Sequence, residues 1–450
     1  MSFQRSLFPY QLDGVNFLLE HSGALLADEM GLGKGIQAIG VINALLELQR
    51  ILIICPATMR LVWREELCRW LIRPLRVVVA GIDPLDEQIL AHVHILIINY
   101  DRLAKVRGLL VGESWDLCIL DECHLIKNPE TARSQIVSQI KALRRLALSG
   151  TPIPNRPIEL YSVLTWLDPI RWPISSRFKF ASRYCAARYT SFGWDYSGAS
   201  NTGELGRTLR ESIMLRRTKA QVLPELPPKL RSVVELTYDV DLRKLVRAEL
   251  AAFRSWEKTS ERKVEPIIGK RVSLPEGISA ALSWDRLAKA RAALALAKVP
   301  LVAEFVRETL SVNDGKVVIF AHHRAMIVGL AEALNVYSPV ILYGGMSAKQ
   351  KQSSIDTFKD DANCRIFIGN IQAAGLGITL APASSHCIFA ELSWVPSELS
   401  QCEDRLHRVG ALDNVLVQHL VLAQSLDAIM IRTLIAKQKV LEQVLVPTLT

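Results

Sequence analysis

Short, unbroken apolar runs punctuate the first and last thirds of the chain. In the first third they fall at Ala24–Ala27, Ile51–Cys55, Ile95–Asn99, Leu117–Leu120 and Leu146–Ser149. In the last third they fall at Val317–Ala321, Arg365–Gly369, Cys387–Ala390 and Val415–Val421. Runs of this length without polar alternation predict strands of a parallel sheet covered on both faces. Helix-like stretches separate them, so the pattern predicts two α/β lobes flanking a different middle. That middle is richer in charge and poorer in β runs. Ala288–Ala297 is a strong helix former. Pro224, Pro227 and Pro228 break any helix there and predict a linker. Arg188–Gly203 mixes Gly, Ser and aromatic residues and predicts an ordered loop.

At 450 residues the chain is too long for one core, and half its residues are apolar. No apolar run approaches the ~18 residues needed to span a bilayer, and the first residues lack the core of a secretory signal. A soluble cytoplasmic protein is expected. The eight cysteines form no CxxC pair, which argues against a zinc ribbon. Net charge is +9, but its distribution carries the information. Residues 1–165 hold 17 basic and 17 acidic side chains, 166–310 hold 26 and 16, and 311–450 hold 11 and 12. A basic segment between two neutral ones points to a polyanionic partner or to a well-solvated helical face.

Three clusters carry candidate chemistry. Leu26–Gly35, LADEMGLGKG, follows an apolar run and opens a helix-like stretch. Glycines there let backbone N–H groups wrap phosphates, and Lys34 reaches toward the β- and γ-phosphates of a nucleotide. Asp28 stands where the common phosphate-loop pattern has its first Gly, and Gly35 where a Ser or Thr ligates magnesium. Asp121 and Glu122 follow the run WDLCIL; the first suits magnesium, the second polarisation of the attacking water. Arg405 and Arg408, three apart, predict one helix face aimed at a γ-phosphate.

Together these clusters resemble a helicase superfamily two motor of the Swi/Snf group. The further matches, in order, are FPYQ (8–11), ICPA (54–57), LSGTPIPN (148–155), VVIFAHH (317–323), QAAGLGIT (372–379) and QCEDRLHRVG (401–410). RPIELY (156–161), FGWDYSGASN (192–201), FAHH (320–323) and KQKVLEQVL (437–445) resemble the HepA-related annealing-helicase branch. The resemblance implies two tandem RecA-like lobes with parallel sheets and a helical insertion. The expected boundaries are an ATP-binding lobe at 1–165, a basic insertion and linker at 166–310, and a second lobe at 311–450. It implies an ATP- and Mg2+-dependent translocase on double-stranded or branched DNA that remodels or anneals without unwinding.

On the same basis Gln11, Asp28, Glu29, Met30, Gly31, Leu32, Gly33, Lys34 and Gly35 form the ATP site. Ser149, Gly150, Thr151, Gly375, Gly377, Gln401 and Asp404 couple hydrolysis to movement. Arg216, Arg217 and Lys219, in a block matching the family, are expected to bind DNA phosphates, and Trp394, near the DNA-coupling region, is expected to bind DNA as well. Gly35, and Ala411 where the family often has Gln, depart from the pattern. Gly35 keeps open a nucleotide- and DNA-binding pseudoenzyme; a DEAH-type RNA helicase is the other alternative. No accessory domain is recognised, so a partner protein or the DNA structure itself is expected to target the motor. A nucleoid-associated protein of bacterial or viral source is expected.

Overall fold

The computed structural model describes residues 6–153, 155–190, 193–259, 278–374, 378–408, 410, 411, 413–431 and 434. The polypeptide forms two compact units, the first ending at Pro224 and the second beginning at Glu225.

The first unit contains β1 (Gly23–Leu26), β2 (Ile51–Cys55), β3 (Val77–Val79), β4 (Ile95–Asn99), β5 (Ser114–Asp121) and β6 (Lys141–Leu148). A small antiparallel pair follows, β7 (Arg188–Thr190) with β8 (Gly193–Asp195), then the two-residue β9 (Met214–Leu215). Apart from β7 and β8, these strands make one parallel sheet in the order β3-β4-β2-β5-β6-β1-β9. The apolar runs become central strands because successive side chains serve opposite faces. Leu52 and Ile54 join one core, while Ile51, Ile53 and Cys55 join the other.

The second unit repeats the design with β10 (Lys229–Leu236), β11 (Val317–Ala321), β12 (Val340–Leu342), β13 (Ile366–Asn370), β14 (His386–Phe389) and β15 (Val415–Leu422). Their order is β10-β15-β14-β11-β13-β12, again parallel. Val318 and Phe320 face one core, Val317 and Ile319 the other.

Residues 166–310, expected as a basic helical insertion and linker, are divided by these pairings. β9 adds to the first sheet beside β1, and β10 adds to the second beside β15. The break therefore falls at Pro224, within the Pro-rich stretch, and the basic middle is divided between the units. Its helices Val240–Thr259 and Ile278–Ser311 belong to the second unit. Among the described residues, no helix is long and apolar enough to cross a membrane.

Candidate nucleotide site

Parallel strands deliver their carboxyl ends to one rim of the sheet, where ligands of such folds bind. Leu148 of β6 is in register with Leu26 of β1 on one side and with Asp121 of β5 on the other. Three motifs far apart in sequence therefore start side by side: the loop after Leu26, the Asp121-Glu122 pair and Ser149.

The loop runs from Ala27 to helix α2 (Lys34–Ala44). Gly31 and Gly33 have φ of 86° and 75°, and Gly33 caps α2 in the left-handed region that glycine enters at no steric cost. A Cβ at Gly33 would also lie 2.5 Å from Gln11 Nε2. Gln11, on helix α1 (Pro9–Glu20), is buried; its amide donates to the Leu32 carbonyl and its oxygen accepts from the Phe8 N–H. Lys34 Nζ donates to the carbonyls of Asp28 (2.9 Å) and Glu29 (3.4 Å), and burial lowers its pKa. Met30 and Leu32 are buried and wedge the loop into the unit. Gly150 lets the neighbouring segment approach, since a Cβ there would sit 2.2 Å from Met30 Cγ and 3.3 Å from Lys34 Nζ.

Asp121 ends β5, and Glu122 follows with φ 51°, a left-handed conformation costing about 1–2 kcal/mol in a residue with a Cβ. That turn directs the Glu122 carboxylate at Ser149 and His124. Ser149 Oγ donates to Glu122 Oε2 at 3.1 Å, and His124 Nδ1 is 3.2 Å from both Ser149 Oγ and Glu122 Oε2. Thr151 N–H donates to Ser149 Oγ, which extends the clamp along the segment. Burial would raise the Glu122 pKa, but the His124 hydrogen bond and charge, with Lys34 and Ser149, bring it below the usual value. Burial, with the Glu122 charge beside it, pushes Asp121 up to about 6. Asp121 Oδ2 accepts a 2.8 Å hydrogen bond from the indole of Trp63, on helix α3 (Met59–Trp70). The same indole stands 3.6 Å from where a Cβ of Gly35 would lie. Trp63 thus covers the position that a side chain at residue 35 would share with Asp121, a role sequence reading missed.

The three basic residues expected on DNA have another place in the structure. β9 pairs Leu215 with Leu26, so residues 216–219 run beside the nucleotide loop. Arg217 donates to both oxygens of Asp28, from Nε at 3.0 Å and from a terminal nitrogen at 2.5 Å; the side chains are 13% and 0% exposed. It also donates to the Tyr10 carbonyl and to Gln37 Oε1, with its guanidinium over the Tyr10 ring. Arg216 donates to the carbonyls of Ala27 and Gly150 (2.8 Å), and buried Lys219 donates its backbone N–H to Glu29 Oε2. Where contacts to DNA phosphates were expected, the structure places the Arg216 and Arg217 side chains and the Lys219 backbone N–H against the loop, which they hold from beneath. Asp28 likewise braces the loop, since its carboxylate is fully buried against Arg217 and Gln37. The missed signal was a two-residue strand, too short to read from pattern.

In the second unit the helix Pro396–Glu403 ends before Arg405, so Arg405 and Arg408 lie in the following turns and share no helix face. The N–H groups of Arg405, Leu406 and His407 bond to Cys402 and Glu403 carbonyls, closing the turn. Arg405 donates to the carbonyls of Gln401 and Ile378, Arg408 to Thr379 Oγ1. Both are half-buried, and both tie the turn to the segment that follows residues 375–377. Gln401 and Asp404 are buried, Asp404 beside Lys229 (3.3 Å). Half-buried Trp394 stacks on Phe253 at 5.9 Å beneath the Arg291 guanidinium. Gly375, Gly377 and the 437–445 stretch lie outside the described residues.

Comparison with known proteins gives this arrangement a family. The SNF2-related domain matches residues 10–266, and the helicase conserved C-terminal domain matches 298–410. The chain is 35% identical over 448 residues to the SWI/SNF-related matrix-associated actin-dependent regulator of chromatin subfamily A-like protein 1 of Xenopus tropicalis, covering 97% of this chain and 45% of that protein. It is 33% identical over 443 residues to the Homo sapiens DNA annealing helicase and endonuclease ZRANB3, covering 94% and 39%. The chain thus spans less than half the length of these relatives. A solved Sulfolobus solfataricus SWI2/SNF2 ATPase core in complex with dsDNA aligns over 99% of this chain and 98% of that one, at 23% identity and a TM-score of 0.45. These two relatives are animal proteins, so the expected bacterial or viral source finds no support. With two parallel-sheet α/β units and a family match over more than half its length, the chain belongs to the SNF2-related family of helicase-like proteins.

Proposed function

We propose that the chain is an ATP-hydrolysing translocase on double-stranded DNA that remodels or anneals DNA without classical unwinding. The observation that carries it is the Asp121-Glu122 pair at the strand end, with buried Glu122 clamped by Ser149 and His124 beside the Lys34 loop. Glu122, held below its usual pKa by His124, Lys34 and Ser149, stays ionised to accept a hydrogen bond from a water, and Asp121 at the strand end supplies a second carboxylate for a metal ion.

In this reading the N–H groups of the Gly31–Gly35 loop and Lys34 hold the phosphates, and Gln11 borders the base. Lys34, now on carbonyl oxygens, exchanges those bonds for phosphate oxygens. Glu122 orients a water and takes its proton; Ser149 and His124 fix the carboxylate that does so. Ser149, Gly150 and Thr151 link the pair to neighbouring backbone, which is how a change at the phosphate reaches the rest of the unit. Gly375, Gly377, Gln401 and Asp404 are proposed for the same coupling, and Arg405 and Arg408 for charge stabilisation at the transferred γ-phosphate. The residues fit Mg2+, because that ion takes one or two carboxylates plus phosphate oxygens and keeps several waters. Asp121 would hold it through water, and the ion would neutralise charge on the β- and γ-phosphates.

The relatives' names speak of DNA annealing and chromatin. They support duplex or branched DNA as partner, with a separate targeting protein or the DNA structure choosing the site. Steady-state ATP hydrolysis with no nucleic acid, duplex DNA and RNA tests the reading. Strong stimulation by duplex DNA is expected. Stimulation by RNA alone would replace it with an RNA helicase. Gly35 favours one second reading, a pseudoenzyme that binds nucleotide and DNA; no turnover under any condition would establish that instead.

A further inference from the structure

The β7–β8 pair lies outside the seven-stranded sheet and carries aromatic surface that no core covers. Tyr189 stands directly opposite Trp194 across the ladder, ring centroids 5.4 Å apart at 75°. Phe178, on the helix Arg177–Tyr184, meets Trp194 at 4.7 Å and 73°. Tyr189, Trp194 and Phe178 are 74%, 48% and 44% exposed.

Seating the hairpin accounts for part of this. Trp194 bridges to Phe178, an Arg188–Asp195 pair (3.1 Å) closes the base, and Thr190 donates to the Gly193 carbonyl. Strands of three residues need such help in water. Tyr189 adds little to that seating, because most of its surface remains in solvent. Three large exposed rings grouped on one surface mark an interaction site.

Charge indicates which ligand. Residues 169–212 hold seven Lys/Arg and three Asp/Glu. Two of the acids, Asp195 and Glu204, are paired with Arg188 and Arg183. Arg177 and Lys179 flank Phe178 along its helix. Duplex DNA hides its base faces, so a purely phosphate-binding surface needs no exposed rings. Exposed rings in a basic segment suit unpaired bases, which stack on aromatics while the backbone follows positive charge.

We propose that Phe178, Tyr189 and Trp194 form a stacking platform for unpaired DNA bases, with Arg177 and Lys179 taking the adjoining phosphates. This rests on the reading that the chain works on DNA, and it adds a preference for DNA with an unpaired strand.

Anisotropy of labelled DNA with the full chain tests it, using a blunt duplex, the same duplex with a single-stranded arm, and that arm made abasic. The wild-type protein should bind the armed duplex more tightly than the blunt or abasic one. Tyr189→Ala should weaken armed-duplex binding about tenfold, the loss of roughly one stacked base. It should leave blunt-duplex affinity and duplex-stimulated ATP hydrolysis unchanged. Tyr189→Phe keeps the ring and should keep the affinity. Wild type on the abasic arm, which loses every stacked base, should bind at least as weakly as Tyr189→Ala on the normal arm. Equal loss on blunt and armed DNA, or equal wild-type affinity for normal and abasic arms, would overturn the platform in favour of a phosphate surface. Unchanged DNA binding by Tyr189→Ala would overturn it in favour of a protein partner. Duplex-stimulated hydrolysis by the wild type separates the two levels. If it is absent, the translocase reading falls by itself; if present without the arm preference, only the platform falls.

Discussion

Replacing Arg217 by Ala should destabilise the first unit, and by an amount the geometry sets. The guanidinium satisfies both oxygens of a carboxylate with no exposure to solvent, and also Gln37 Oε1. After the substitution Asp28 keeps only its own backbone partner at Arg217 N–H (3.1 Å) and the Gln37 amide (3.2 Å). Removing one partner of a buried pair costs about 3–5 kcal/mol, because the remaining charge stays desolvated. For a unit of this size about 2–4 °C is lost per kcal/mol, so the first transition should fall by about 6–20 °C. Near-UV circular dichroism during heating would follow it. Nucleotide affinity should fall too, since Asp28 fixes the start of the loop from which Lys34 projects. Removing both charges, as Asp28→Ala with Arg217→Met, should recover much of the stability. If Arg217→Ala melts within about 1 °C of wild type and instead flattens the salt dependence of DNA binding by about 0.9 in log–log slope, Arg217 is a phosphate contact and the brace is refuted.

Glu122→Gln should bind ATP yet hydrolyse it at least about 100-fold more slowly, at the low end for a general base; single-turnover kinetics would show it, and near-normal turnover would remove Glu122 from that role. Gly35→Thr should lower the magnesium needed for hydrolysis by about 10–100-fold, the range for restoring a ligand's support; the Cβ fits, at 3.6 Å from Trp63. An unmoved magnesium midpoint would mean that no hydroxyl is used there. In the second unit, burial would raise Glu403, but Lys229 and Arg231 hold it down at about 2. A depressed acid contributes stability above its unfolded pKa near 4.5 and loses it as pH falls toward 2. Urea unfolding across that window should show a steep acid loss that Glu403→Gln reduces, the remainder coming from Glu391, which His323 also holds at about 2; an unchanged slope would assign the acid sensitivity elsewhere.

The sequence determined the two lobes and the core of the nucleotide site, because each depends on local chemistry. ILIIC and VVIFA are apolar at every position, and only strands buried on both faces tolerate that. Gly33 must adopt a left-handed φ, and an acidic pair must end a strand to reach the rim. The marks of that chemistry are adjacent residues, so they survive in one dimension. Contacts between distant segments do not. Arg217 and Asp28 are 189 positions apart, and a two-residue strand with no pattern of its own brings them together. From sequence, a row of basic residues in a basic segment reads as a polyanion surface; only long-range hydrogen bonds show that Arg216 and Arg217 turn toward the loop, and only packing shows that Lys219 is buried. The Trp63 indole on Asp121 was equally hidden, since a tryptophan in a helix reads first as core. The helix expected to carry Arg405 and Arg408 stops at Glu403 instead. Lys229 and Arg231 hold that carboxylate, and the following N–H groups close a turn whose partners lie far away in sequence. Local propensity thus gave the elements and their motifs. Long-range pairing decided which charges hold the site together and which remain outside for a partner.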